Sequence, residues 1–242
     1  MTSLFAQLDD SFFQERTGTD CVGDNGFCPD WIADNIGEYF GPLGNHVILT
    51  IVPVSVGILI SFALAVAAHK NRSLTGPFSA VTGTLYTVPS IAAYLLLIPI
   101  TGFGTFTAFV VLTAYTLLIL FRNMTTGLRN VPAEAIDAAR GMGMTDNQIL
   151  RSVELPLATP EILAGVRIAF TTTVGLAAFA FLCGAPGLGQ QIFTEKAGTG
   201  GLFFKSNVVV AGGLCVLLAA AGDLVILAIQ RLALPWRRVG AR

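Results

Sequence analysis

The sequence predicts an all-α integral membrane protein with five transmembrane helices, N-terminus outside and C-terminus cytoplasmic, and a helical hairpin on the cytoplasmic side between spans three and four. Three observations carry this. Apolar residues make up 53% of the 242 residues and charged residues only 12%, too few charges to cover a soluble globule of this size. Charge-free stretches at 47–68, 77–121, 168–194 and 206–222 approach or exceed the roughly 20 apolar residues that a membrane helix needs. Between them, 122–167 carries five arginines and five acids and is excluded from the bilayer core.

The first stretch gives a span at about 45–68. The second is long enough for two and divides near Pro99 to Gly104, where proline and paired glycines punctuate helices, giving spans at about 78–98 and 104–121. The last two fall at about 163–183 and 207–230. With the N-terminus outside, five spans put eleven of the fourteen Lys and Arg residues at the cytoplasmic side, leaving Arg16, Lys196 and Lys205 outside. That bias sets the orientation.

Residues 1–44 form an acidic outer segment with eight acids and one base, Arg16, and without the basic and apolar regions of a signal peptide. Trp31, Ile32, Ile36, Tyr39 and Phe40 recur at near-helical spacing and predict a short amphipathic helix at the outer interface. Cys21 and Cys28 flank a turn-prone Gly-Asp-Asn-Gly run, so a disulfide is expected on this oxidising face. Cys183 and Cys215 read as small buried apolar side chains within spans. His46 and His69 flank the first span at opposite ends and read as interfacial residues.

The 122–167 segment reads as structure. Pro132 suits a first helical position, and Ala133 to Arg140 is rich in helix-forming alanine. Gly141-Met142-Gly143 breaks that helix, and Thr145 with Gln148 has the form of a capping box that starts a second helix to about Val153. Pro156 and Pro160 disfavour its uninterrupted continuation. Ala135, Ala138 and Ala139 would let a partner approach closely; an ordinary solvated hairpin is the other reading.

Asp137-Ala138-Ala139, then Gly143 after three residues, then Val153-Glu154-Leu155-Pro156 after nine more, resembles the EAA motif of permeases of binding-protein-dependent ABC importers. Asp137 stands for the usual Glu and Val153 for the usual Ile. The resemblance implies that Asp137, Ala138, Ala139, Gly143, Leu155 and Pro156, with Glu134 one turn before Asp137, form a coupling helix and its return to the membrane, docking on a separate ATPase. It further implies two ABC ATPase subunits that carry ATP and Mg, a second permease chain, identical or related, an extracytoplasmic substrate-binding protein, and residence in the bacterial inner membrane. The domain layout is then an outer segment 1–44, a permease domain 45–235 with the coupling loop at about 122–167, and a cytoplasmic tail 236–242.

Tyr86-Thr87-Val88-Pro89-Ser90-Ile91, Gly141-Met142-Gly143-Met144 and Gly187-Leu188-Gly189-Gln190-Gln191-Ile192-Phe193 bring the resemblance closer to osmoprotectant permeases. Such proteins take up glycine betaine, choline, carnitine or proline betaine; amino acids or other small amine-bearing solutes are the alternative. A proline within a span frees a backbone carbonyl, tolerated where it faces protein or a water-filled path. Thr84, Thr87, Pro89 and Ser90 are therefore candidates to line the path, or else small hydroxyl residues that pack helices. Asp223 is the one acid within a predicted span and calls for a partner; Arg167, at the cytoplasmic start of span four, is the candidate.

The sequence offers no catalytic residues, no metal constellation, no P-loop for ATP and hence no cofactor on this chain, and nothing that reads as nucleic-acid binding. An ion-driven secondary transporter would be expected to show several midspan ionisable residues or two similar halves. A membrane-anchored interaction subunit that conducts nothing is the third reading.

Overall fold

Helices account for every regular element among the described residues of the computed structural model, which are 21–22, 26–193 and 203–233. Residues 1–20 of the acidic segment, the 23–25 turn, Lys196 and the predicted tail 236–242 lie outside them. Helix α1 (Pro29–Asn35) opens with proline at its first position, where the missing N–H costs no hydrogen bond. It passes through a 3-10 turn (Ile36–Tyr39) into α2 (Phe40–Lys70). At a rise of about 1.5 Å per residue α2 is about 47 Å long, more than the roughly 30 Å hydrocarbon core, so it extends beyond the predicted 45–68 at both ends. The expected interfacial helix is therefore the outer prolongation of α2, and Trp31 packs edge-on against Phe204 with ring centroids 4.9 Å apart.

The expected second span is two helices. α3 (Thr75–Thr87) and α4 (Ser90–Thr101) meet at Val88 and Pro89 with a bend of 97°, because Val88 is extended (φ −64°, ψ 128°) ahead of a proline that lacks an N–H. Pro99, where the sequence reading places the break, stays inside α4. The turn out of α4 instead uses Gly102 (φ 86°) and Gly104 (φ 132°), a conformation that glycine adopts without a Cβ penalty.

α5 (Thr105–Arg129) is the central helix, packed by α2, α3, α4 and α8 (Leu155–Ala177). Glycines let the helices approach closely at the crossings, which helps to hold them where lipid provides no hydrophobic drive between helices. A Cβ at Gly57 of α2 would lie 1.9 Å from Thr116 Oγ1 of α5, and one at Gly165 of α8 would lie 2.5 Å from Asn123 Cβ. Two apolar clusters fill the layers. One gathers Leu49, Tyr94, Leu112, Ala177 and Cys183, the other Ala65, Phe121, Met124, Leu150 and Ala158. α9 (Leu188–Phe193) and α10 (Lys205–Ala233) complete the bundle.

The charged 122–167 segment contains α6 (Ala133–Gly141) and α7 (Asp146–Ile149). α7 does not stop at Val153 as expected. It continues through one π-helical stretch (Leu150–Glu154) straight into α8, the wider winding giving the Pro156 ring room where it would meet the carbonyl four residues back. The helix expected as span four consequently begins with Leu155, well before residue 163, and gives way after Ala177 to a 3-10 turn at Ala180–Cys183.

Among the described residues three helices are long and apolar enough to cross a membrane: Pro29–Lys70, Thr105–Arg129 and Lys205–Leu232. The bent α3–α4 pair is a fourth if it counts as one crossing. α8, at 23 residues, is long enough but less apolar than these.

Candidate functional site

α6 begins after Pro132, which is the capping residue and not, as its sequence context implies, the first helical one; its carbonyl accepts from Ala135 N at 3.1 Å. Glu134, Asp137 and Ala138 are exposed on the outer face of α6 and Ala135 is half-buried. Ala139, expected on the docking face, is 1% exposed and turns inward, because helical geometry sets neighbours about 100° apart around the axis.

The helix closes with Gly143 N donating to Arg140 O (2.9 Å) and Met144 N donating to Ala139 O (3.2 Å). This is the Schellman arrangement, with Gly143 at φ 82°. Gln148 Oε1 then accepts from Thr145 N at 2.8 Å, the reciprocal bond expected of a capping box.

Two side-chain links join this unit to the end of α2. Glu154 in the π stretch is buried, and its Oε2 lies 2.9 Å from His69 Nε2. Lys70 Nζ donates to Asn147 Oδ1 at 3.0 Å. Leu150 and the half-buried Leu155 pack into the second apolar cluster, and Pro156 lies in the first turn of α8. Beside these links a cleft of about 630 Å³, lined in part by Ile136, Arg140 and Asp146, leaves α6 and α7 standing off the bundle. The His69–Glu154 pairing is missing from the sequence reading; the only signal for it is an acid placed between two motif residues.

At the α3–α4 break a groove of about 580 Å³ is lined by Thr87, Pro89 and Ser90 of the predicted path residues. Thr84 is not in the lining; its carbonyl accepts the Thr87 hydroxyl at 2.8 Å. Tyr86, Tyr115, Thr171 and Thr172 join the wall, residues that sequence reasoning missed. Tyr115 donates its hydroxyl to Val88 O, a carbonyl at the break. A tyrosine in the middle of an apolar helix needs such a partner, and that requirement was the available signal.

The remaining predicted pairs are also placed. Arg167 Nε donates to Asp223 Oδ1 (2.6 Å) and Nη2 to Oδ2 (2.9 Å), a two-pronged contact joining α8 to α10. Cys21 and Cys28 are disulfide-bonded, and Cys28 N donates to Ser206 Oγ at 2.8 Å, latching this loop to the start of α10. His46 departs from its interfacial expectation: it is fully buried and bonded to Val174 O at 3.0 Å, because α2 starts before it and carries it between α8 and α10. Among the described residues no cluster of metal-ligating side chains occurs.

Over residues 57–238 the sequence matches the family described as binding-protein-dependent transport system inner membrane component. The chain belongs to this family. The match contains both the α6–α7 hairpin and the α3–α4 groove. Among its relatives is the choline transport system permease protein OpuBB of Bacillus subtilis, 31% identical over 83% of this chain and 91% of that protein. The osmoprotectant import permease protein OsmW of Salmonella typhimurium is 33% identical over 78% of this chain and 88% of that protein. Among solved structures, the inward facing MetNI methionine ABC transporter superposes with a TM-score of 0.65 at 26% identity, covering 78% of this chain and 94% of that one. The protein is thus an integral inner membrane permease subunit of an ABC importer.

Proposed function

We propose that this permease takes up a small osmoprotectant such as glycine betaine, choline, carnitine or proline betaine, driven by ATP hydrolysed with Mg on a separate chain. The observation that carries the substrate class is the set of relatives at 30% identity or more, covering most of this chain, that are named for choline, glycine betaine or carnitine transport. One of two ABC ATPase subunits docks on the exposed face of α6, at Glu134, Asp137 and Ala138, and the other on the second permease chain. The Gly143 turn sets the angle of that face, and Leu155 and Pro156 carry its movement into α8. A second permease chain, identical or related, completes the pathway, and a substrate-binding protein delivers solute outside.

In this reading the chain crosses the membrane five times with its N-terminus outside. α3 with α4 makes one crossing and α8 another. The Arg167–Asp223 pair is structural, holding α8 to α10. Residues 1–44 form the outer segment, stapled by Cys21–Cys28, 45–235 the permease domain, and 236–242 the cytoplasmic tail. Likeness to a methionine transporter favours a second reading, with an amino acid as the solute.

The test is uptake of labelled choline, glycine betaine and methionine by vesicles holding the permease, its ATPase and its binding protein. Accumulation of a quaternary ammonium solute only with ATP is expected. Uptake of methionine alone moves the substrate to the second reading. Uptake driven by an ion gradient without the ATPase refutes the mechanism.

A further inference from the structure

We propose that the groove at the Pro89 break is a transit site for the quaternary ammonium head of the solute, with Tyr86 and Tyr115 supplying its aromatic walls; this rests on the osmoprotectant reading above. Tyr115 sits near the middle of α5, about 15 Å along the helix from Thr105 at the usual 1.5 Å rise. The groove therefore lies deep between the two faces of the bilayer. There the 97° bend replaces helix by extended backbone, which is tolerated in a membrane only where it faces protein or a polar path.

The chemistry of the wall selects for a cation without a fixed counter-charge. None of the lining residues is ionisable as an acid or base in the physiological range. The Tyr86 and Tyr115 rings pack in tilted contact, with centroids 5.7 Å apart and planes at 58°, and Phe179 adds a third ring to the wall. Aromatic faces attract an ammonium within about 6 Å of the ring centroid. Tyr86 is 40% exposed and Tyr115 7%, so the first ring is open to a solute and the second backs it. The Tyr115 hydroxyl bond to Val88 O fixes that second ring against the break.

The hydroxyl groups add to the same polarity. Thr87 donates to Thr84 O (2.8 Å), Thr171 to Arg167 O (3.0 Å) and Thr172 to Ile168 O (2.7 Å). Each hydroxyl hydrogen is spent within its own helix, leaving oxygen lone pairs as the polar feature that these residues offer the groove. Lone pairs and ring faces suit the weakly positive N-methyl groups of a quaternary ammonium, and no basic side chain lines the groove to hold a carboxylate. The site thus holds the trimethylammonium shared by choline, carnitine and glycine betaine and leaves the variable end unread. Without an acid it binds weakly, as a pathway site must if solute is to leave it.

The experiment measures saturation transfer by NMR from the full-length permease in lipid nanodiscs to the N-methyl protons of choline, with the neutral tert-butyl isostere as control. Transfer to choline exceeding that to the isostere is expected. Tyr86→Leu should weaken choline binding about three- to tenfold, while Tyr86→Phe, which keeps the ring, retains it. Tyr115→Phe against Tyr115→Leu gives the same contrast with the hydroxyl bond already removed in both. Equal transfer to the isostere, or equal binding by the Phe and Leu variants, overturns the proposal. If choline binds with this pattern while the vesicles accumulate no quaternary ammonium, the substrate reading fails and the site stands. ATP-driven choline uptake with binding indifferent to the rings has the opposite meaning.

Discussion

Replacing Gly143 by asparagine, alanine, valine and phenylalanine separates the two things this residue does. At φ 82° an L side chain is strained by roughly 1–2 kcal/mol, least for asparagine and most for the β-branched valine. A Cβ there meets nothing within 4 Å, so the backbone supplies the whole intramolecular effect. A penalty of about 1–2 kcal/mol lowers the population of the closed α6 turn roughly 5- to 30-fold relative to its open form. The assay is ATP-driven uptake in vesicles, paired with co-purification of the ATPase. Uptake is expected to fall in the order Gly, Asn, Ala, Val, with membrane content unchanged. Phenylalanine, whose φ preference resembles that of alanine, should fall further than alanine only if a partner surface presses on this turn. Normal uptake by Gly143→Val would refute the role of the turn, and equal uptake by the Ala and Phe variants would refute docking at it.

Removing His69 leaves Glu154 buried without its partner, whereas removing Glu154 leaves a quarter-exposed histidine that water can reach. His69→Ala should therefore cost about 1–3 kcal/mol and Glu154→Ala less, and a double-mutant cycle on thermal unfolding of the purified permease should show coupling; additive effects would count against the link. Closing the short loop between Cys21 and Cys28, separated by seven positions, stabilises by about 2–3 kcal/mol on the chain-entropy account. Thiol labelling at these positions should appear only after reduction, and equal labelling before it would dispose of the bond. Asp223→Asn and Arg167→Gln should each lower the yield of folded permease, and exchanging the two residues should restore part of it; no recovery on exchange would mean that geometry and not charge governs the site.

Much of the α6–α7 hairpin was legible because its determinants are local. Gly143 turns α6 through its own φ, and Thr145 and Gln148 cap α7 across three residues. Arg167 and Asp223 were legible for a different reason: a lone midspan acid demands a partner, and few cations are within reach. Proline positions misled where a distant contact decides the outcome. Pro99 stays within a helix, Pro156 follows a π stretch into α8 without ending the helix, and Pro89 makes the sharp bend.

Composition and local chemistry by themselves determined that this chain lives in a membrane, where its charged hairpin falls in the sequence and how that hairpin turns, because each depends on neighbouring residues or on summed hydrophobicity. Only the tertiary structure decided that Ala139 faces inward, that Glu154 meets His69, and that Tyr86, Tyr115 and Thr171 share one groove. Those outcomes bring together side chains from helices far apart in sequence, and the need of a broken helix for partners does not say which helix will provide them.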